Sequence, residues 1–235
     1  MPEAATPAAA AQGTVAVPSA GRTARITTAR GRPSADAEPV RGETPAYRGA
    51  LCHAALAAVT ADARHGARVL AAIDPIHLST IRSASRLAWV PAEALDQLNA
   101  TYLRAAGADC YVDFWRRYTI GATDSTLLGS FFQCALRIFG RSPAGLMKWV
   151  GRAWEVTTRD YGRAVVLDRG DAVCVRLEGI PAQCRHVTVP LTTQASLTAI
   201  IEFVEFVPEV SCDLRRFATE GTYDVVARWS TPPSG

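Results

Sequence analysis

The spacing of apolar residues changes near Gly162, and this change constrains the fold more than any other feature of the chain. Before Gly162, apolar residues recur at helical intervals. After it, residues 163–167 and 172–177 form two β-rich runs around the tetrapeptide 168–171, Asp-Arg-Gly-Asp, which is typical of a hairpin turn. A helical first part followed by adjacent strands predicts the α+β class.

The segment before the hairpin contains several predicted helices, separated by proline and glycine. They cover residues 63–73, 75–87, 91–106, 110–118, 127–139 and 142–161, and Ser142-Pro143 forms the start of the last. The Ala-rich stretch 51–60 fits a strand entering a helix or a helix throughout, because its periodicity favours neither. Residues 89–91 are predicted to be extended, since Pro91 disfavours helix at Val90.

The segment after the hairpin predicts one helix and two further strands. The helix covers residues 196–207 and is closed by Pro208, and the strands cover residues 210–214 and 222–229. Strands joined by a tight turn pair antiparallel. We therefore expect a helical block packed on one face of a small antiparallel sheet that includes residues 222–229.

Residues 1–45 contain no aromatic residue and are rich in Ala, Pro, Thr, Gly and Arg. A segment of this composition lacks the apolar surface needed to form a core, so it is predicted to be a disordered tail. Its arginines could contact an acidic partner, but the acidic residues Asp36, Glu38 and Glu43 weaken that interpretation. Residues 46–230 are predicted to form a single α+β domain.

Composition and charge exclude several classes of protein. The 25 basic and 22 acidic side chains give a net charge of +3, which is too balanced for a typical nucleic-acid-binding protein. The first residues lack the basic and Leu-rich segments of a signal peptide, and no uninterrupted apolar stretch reaches about 18 residues. These features predict a cytoplasmic protein without membrane association, with its six cysteines reduced.

Several sequence features, in order along the chain, resemble a known family. They are Tyr47-Arg48-Gly49 before an Ala/Leu helix, Trp89-Val90-Pro91, Ser142-Pro143 before a helix with Trp149 and Trp154, Tyr161-Gly162, Leu177-Glu178-Gly179-Ile180-Pro181, and the closing Val225-Val226-Ala227-Arg228-Trp229. With these features, residues 47–230 resemble the myxobacterial paralogous domain family of unknown function. More distantly, the layout is similar to the small-ligand sensory domains of the four-vinyl-reductase type. The resemblance implies no known activity.

The bulky aromatic residues of the helical block are the candidate ligand-binding residues. Five of them could line a pocket for an apolar ligand, with Arg152 or Tyr161 as a polar group at its mouth. The five are Trp115, Phe131, Phe132, Trp149 and Trp154. Aromatic residues at helical spacing also form ordinary cores, and the sequence leaves both interpretations open.

The alternative to a binding domain is a thiol-dependent or metal-dependent enzyme. Cys174, Cys184 and His186 could meet near the hairpin and supply zinc ligands, although the spacing is unlike that of a zinc finger and a fourth ligand is missing. The cysteines could also act as nucleophiles with a histidine base, as in the adjacent pair Cys52 and His53. The chain contains no G-x-S-x-G, H-E-x-x-H, P-loop or G-x-G-x-x-G motif.

The sequence thus favours a non-catalytic domain that senses a small ligand or binds a protein in signalling. No cofactor is expected. The expected partners are an apolar small molecule or another protein, rather than nucleic acid or membrane, and the sequence leaves the oligomeric state open.

The predicted boundary of the domain can be tested by limited proteolysis. We expect trypsin to cut first near Arg41 or Arg48, because a segment without a core is open to protease, and to leave a stable fragment that mass spectrometry would identify. Protection of both sites, with an intact N-terminus, would contradict the predicted tail.

Overall fold

The computed structural model of the chain describes residues 44–122, 127–170 and 172–232. Seven elements precede residue 123. They are β1 (Ala46–Arg48), α1 (Gly49–Ala61), α2 (Gly66–Ala72), α3 (Pro75–Ser83), β2 (Trp89–Pro91), α4 (Ala92–Ala106) and α5 (Ala108–Ala122). The predicted tail, apart from residues 44 and 45, lies outside the described residues.

The second part of the chain carries the larger sheet. Its elements are α6 (Leu127–Phe139), α7 (Pro143–Met147), α8 (Val150–Thr157), β3 (Thr158–Arg159), β4 (Arg163–Asp168), β5 (Val173–Glu178), a 3-10 turn (Ala182–Cys184), α9 (Thr188–Phe203), β6 (Val207–Asp213), α10 (Phe217–Glu220) and β7 (Tyr223–Ser230). The predicted α+β class is confirmed.

The predicted hairpin and its neighbour form a four-stranded antiparallel sheet in the order β4-β5-β7-β6. Strand β4 pairs with β5 from Arg163 opposite Glu178 to Asp168 opposite Val173, which confirms the predicted hairpin. Strand β7 pairs with β5 on one side and β6 on the other, so residues 222–229 join this sheet as predicted. Helix α9 packs between this sheet and α5.

A second sheet of three short strands, in the order β2-β1-β3, was missed by the sequence analysis. Only residues 89–91 were predicted to be extended, and they pair with β1. Within β1, the Arg48 guanidinium donates to Leu87 O at 2.9 Å and lies 3.7 Å from the centre of the Trp89 ring. A paired and anchored Arg48 is a poor protease site, so the structure favours Arg41 as the first tryptic cut.

Several predicted helices have different bounds in the structure, and two of them differ most. The helix predicted for residues 142–161 is divided into α7 and α8, and Trp149 lies between them, where its N–H donates to Leu146 O at 3.0 Å. Helix α9 begins at Thr188 rather than 196, because Pro190 is tolerated in its first turn, where a backbone N–H has no intrahelical partner. It ends at Phe203 rather than 207, and Pro208, which was predicted to close it, lies inside β6.

A buried carboxyl group joins the small sheet to the helical block. Asp96 of α4 is 3% exposed and accepts hydrogen bonds from the hydroxyls of Tyr47 and Tyr161, both at 3.3 Å. The rings of these two tyrosines lie 4.8 Å apart between centroids. Burial raises the pKa of Asp96 to about 7, and the two phenol hydrogen bonds only partly offset this rise.

Among the described residues, no helix combines the length and apolar character needed to cross a bilayer. All six cysteines are free thiols.

Two glycines with the same backbone conformation provide a matched test of packing at the start of β4. Gly162 and Gly170 both have φ of +78°, but a Cβ would lie 2.4 Å from Glu178 O at Gly162 and meet nothing within 4 Å at Gly170. We expect Gly170→Ala to cost about 1–2 kcal/mol through its left-handed conformation alone. Gly162→Ala should cost about 2 kcal/mol more, because it adds a steric clash. Urea denaturation of both variants measures this difference, and equal costs would contradict the packing described.

The buried carboxyl group also makes stability depend on pH. Below the unfolded value of about 3.8, Asp96 is protonated in both states. Between pH 4 and 7 the unfolded chain ionises while the folded protein keeps its proton, so the free energy of unfolding should fall as pH rises and level off above 7. The fall should be at most about 4 kcal/mol.

Asp96→Asn is the matched variant, because it keeps a polar side chain of the same shape but cannot ionise. We expect the difference in unfolding free energy between wild type and Asp96→Asn to change across pH 4–7. Taking this difference cancels the contribution of the other carboxylates, which both proteins share. A difference that stays constant across this window would show that Asp96 titrates normally.

Candidate functional site

An apolar pocket of about 220 Å³ lies inside the helical block. Its wall is formed by β1, α1, α4 to α9 and the start of β3, so most elements of the domain contribute to it. We refer to it as the apolar pocket.

Aromatic rings form one part of the wall. They belong to Tyr47, Trp115, Tyr118, Trp149 and Trp154. Trp115 and Tyr118 lie one helical turn apart on α5, and their rings meet edge to face with centroids 4.9 Å apart. Trp154 of α8 is held by its indole N–H, which donates to Gly162 O at 3.2 Å. Rings fixed in this way leave space between them, because they are too rigid to fill an irregular gap.

Aliphatic side chains complete the apolar surface. They are Leu51, Leu95, Ala135, Leu146, Val150, Ala153, Val189, Leu197 and Ile200. Among the described residues, no charged side chain, histidine or cysteine lines the pocket. The surface therefore offers no partner for an ionised group and favours uncharged, apolar molecules.

Most hydroxyl groups in the wall are already hydrogen-bonded to the protein. Thr119 and Ser196 share a hydrogen bond of 3.2 Å between α5 and α9. Thr192 bonds to the Tyr111 hydroxyl at 2.6 Å, and Thr193 to the Tyr223 hydroxyl at 2.8 Å. These groups are satisfied without a ligand and fix α9 against its neighbours.

Three polar groups in the wall lack such partners. Asn99 is 8% exposed, and no side-chain hydrogen bond in residues 44–122, 127–170 and 172–232 involves it. The indole N–H of Trp115 and the hydroxyl of Tyr118 are buried and make no hydrogen bond of standard geometry in this part of the chain. The Trp115 indole still lies within hydrogen-bonding reach of the Tyr111 hydroxyl and partly offsets the burial that raises the pKa of that phenol, and the hydroxyl bonds closely to Thr192 at 2.6 Å.

Asn99 and Tyr118 were not predicted from the sequence to be site residues. Asn99 lies four residues after Leu95 and three before Tyr102, both buried, so it occupies a position on the apolar face of α4. A polar residue at such a position was the signal that could have revealed it.

Only some of the residues that were predicted to bind ligand line the apolar pocket. Trp115, Trp149 and Trp154 line the apolar pocket. The side chains of Phe131 and Phe132 lie outside the described part of the chain, although their backbone belongs to α6. Arg152 is exposed and pairs with Glu155 at 3.0 Å, and Tyr161 is fully buried against Asp96 rather than lining the pocket. A role in binding remains a prediction for each of them.

The residues considered for metal binding and thiol chemistry lie elsewhere. Within the described chain, no group of three or more His, Cys, Asp or Glu side chains could hold a metal ion. Cys174 is buried in β5, Cys184 is buried in the 3-10 turn, and His186 is exposed. Burial raises the pKa of the Cys52, Cys184 and Cys212 thiols to about 12, and that of Cys174 is also raised, so these thiols are protonated at neutral pH.

Two of the histidines bond to groups other than these thiols. His53 follows Cys52, but its ring bonds to Ala84 O at 2.7 Å while Cys52 is buried on another face of α1. His65 pairs with Asp62 at 3.3 Å.

Comparison with solved structures identifies the fold. The Fe(II) unliganded H-NOX protein from K. algicida is 9% identical at a TM-score of 0.56, over 80% of this chain and 99% of that protein. A Cs H-NOX mutant is 11% identical at 0.53, over 80% and 99%. A mutant of the T. tengcongensis H-NOX is 11% identical at 0.52, over 80% and 100%.

No family model matches the chain, and no curated protein does. Sequence identities of 9–11% show a common fold and nothing further. The domain shares the α+β fold of the H-NOX proteins.

Proposed function

We propose that this domain is a sensor that binds a small, uncharged, apolar molecule in the apolar pocket and passes its presence to a signalling partner. The observation that carries the proposal is a pocket of about 220 Å³ whose described wall is aromatic and aliphatic and contains no charged side chain. Well-packed cores contain few voids of this size, because each one forfeits dispersion contacts.

The shared fold supports a sensing role, since H-NOX proteins are haem-binding sensory domains. The resemblance of residues 47–230 to the myxobacterial domain family is compatible with it and depends on the sequence features given above. Neither likeness identifies the ligand.

The pocket does not fit haem. Proteins bind haem iron through His, Cys, Met or Tyr. Of these types, only Tyr47 and Tyr118 are among the described lining residues. Burial raises the pKa of both phenols well above the usual value, and the Tyr47 hydroxyl is bound to Asp96, so neither favours the phenolate that would bind iron. The described wall also holds no cation to pair with the haem carboxylates.

The volume of the apolar pocket is also too small for haem. A cavity of about 150 Å³ accommodates one benzene ring, and haem has roughly seven times as many non-hydrogen atoms as benzene. At about 220 Å³, the apolar pocket suits a molecule one ring or a short chain in size. We therefore propose that this chain uses the H-NOX fold for a ligand other than haem.

The proposal can be tested by filling the pocket. Isopropylbenzene is the probe, and thermal unfolding is the measurement. We expect it to stabilise the wild type, by about 2.7 kcal/mol when its concentration is a hundred times its dissociation constant. Ala153→Phe places a ring inside the pocket and should abolish this stabilisation, whereas the control Ala71→Phe, at an exposed position of α2, should preserve it.

Two results would contradict the proposal. One is equal stabilisation of both variants by the probe, which would place binding outside the pocket. The other is stoichiometric uptake of added haem with an absorption band of protein-ligated iron.

A further inference from the structure

The outer face of the small sheet carries a basic and aromatic surface. Directly opposite residues of an antiparallel pair point to the same side, so Arg48 of β1 and Trp89 of β2, which pair, lie on one face. Arg159 of β3 pairs with Ala46, two residues before Arg48, and shares that face. The surface concerns the signalling partner of the proposed function, on which this inference rests.

The ring of Trp89 lies between two cations. The guanidinium of Arg48 is 3.7 Å from the ring centre and that of Arg159 is 5.4 Å from it, and both distances are within the range of a cation–π contact. Arg48 is itself fixed by hydrogen bonds to Leu87 O at 2.9 Å and Val156 O at 3.4 Å. The half-buried indole is therefore held in one orientation.

The turn before β2, residues 85–88, is fastened to the start of α1. The first two backbone N–H groups of this helix, from Gly49 and Ala50, donate to two carbonyl oxygens of the turn, both at 2.8 Å. These N–H groups have no intrahelical partner, so the turn satisfies them. The close approach requires glycine, because a Cβ at position 49 would overlap Ser85 O.

Leu87 lies in this turn with 78% of its surface exposed, more than any other bulky apolar residue in the described part of the chain. Its carbonyl oxygen is held by Arg48, and the turn around it by α1. An apolar side chain in water gains free energy when a partner covers it, and a fixed backbone loses little entropy on binding.

The charges around Leu87 favour an acidic partner. Arg86 is exposed, and its guanidinium makes no ion pair with any residue that the structure describes. Arg159 pairs with Asp160 at 3.8 Å. Together with Arg48, three guanidinium groups lie beside this single carboxylate, so further carboxylates would complement them. We refer to the surface as the arginine patch; it consists of Arg48, Arg86, Leu87, Trp89 and Arg159.

The same strands contribute to the wall of the apolar pocket. Tyr47 and Thr158 pair on the inner face of the small sheet and line the pocket, one residue away from Arg48 and Arg159 on the outer face. A ligand that displaces the wall at Tyr47 also displaces the strand that carries Arg48.

We propose that the arginine patch docks a protein partner whose contact surface presents carboxylates around an apolar group. Leu87 is the apolar anchor, and Arg86 and Arg159 pair with the carboxylates. Trp89, held by Arg48, forms the base of the surface. Tryptophan and arginine are among the residues that contribute most to binding at protein interfaces.

Peptide selection on the full chain tests the chemistry of the partner. A phage library of random dodecapeptides is selected on the immobilised wild type, and fluorescence anisotropy gives the dissociation constants of the recovered peptides. We expect these peptides to combine Asp or Glu with a bulky apolar residue, and to bind more weakly as salt is raised.

Leu87→Ser and Arg86→Glu test the two kinds of contact. Each should weaken binding of the recovered peptides about tenfold or more. The matched controls are Ile76→Ser, at the other end of α3 from the turn, and Arg64→Glu, beyond the far end of α1, and both should bind like the wild type. All four positions are exposed, so the variants should melt like the wild type.

Peptides without an acidic preference, or equal binding by all four variants, would overturn the assignment. Two other occupants would also overturn it. Sedimentation with phosphatidylserine vesicles that is lost in Leu87→Ser would make the patch a membrane contact. A concentration-dependent dimer that is lost in Leu87→Ser would make it an interface between copies of the chain.

The link to the pocket is measured separately. Saturating isopropylbenzene should change the peptide dissociation constant about fivefold or more, as coupled sites do. If the probe binds and the constant stays the same, the patch is not the output surface of the sensor. If the probe does not bind, the proposed function fails, whereas the peptide measurements need no pocket ligand and still decide the assignment of the patch.

Discussion

The carboxyl group of Asp96 is the contact on which the arrangement of the first half of the chain depends. It lies on α4 and is bound by a phenol from β1 and by another that follows β3, so one side chain connects a helix to two strands of the small sheet. These strands are too short to be stable by pairing alone. The burial that raises the pKa of Asp96 also keeps it protonated over much of the acidic range, so it bonds to both phenols without a buried charge.

The apolar pocket follows from this arrangement. The ring of Tyr47 forms part of the pocket wall while its hydroxyl is held by Asp96, and the ring of Tyr161 packs against it at a tilt. A turn separates α7 from α8, and Trp149 of this turn belongs to the wall. The rings of Tyr47 and Trp154, which are anchored at their polar ends, hold the wall against inward collapse, so the space remains at some expense of stability.

The larger sheet could be predicted from the sequence because its determinants are local. Alternation in residues 163–177 and the turn at Gly170 specify the hairpin without reference to distant residues. The small sheet could not be predicted, because its three strands come from positions 46, 89 and 158, and two or three residues carry no detectable periodicity. The division between α7 and α8 was hidden for a related reason, since apolar spacing continues across Trp149.

Prediction of the site was limited in a similar way. Aromatic residues could be proposed as pocket residues from their type, but Arg152 and Tyr161 were proposed as polar groups without knowledge of their partners, which are Glu155 and Asp96. Asn99 is informative only once its neighbours are known, because an asparagine in a helix is ordinarily exposed.

The uncharged wall of the pocket has a consequence for how such a domain would obtain its ligand. Electrostatic steering cannot attract a neutral molecule, so association depends on diffusion and shape, and salt would change it little. A molecule that prefers this wall to water also prefers lipid to water. Occupancy of the described pocket would then follow the small fraction of ligand that is dissolved in the aqueous phase. A domain of this kind would report how a compound is divided between membranes and water rather than its total amount.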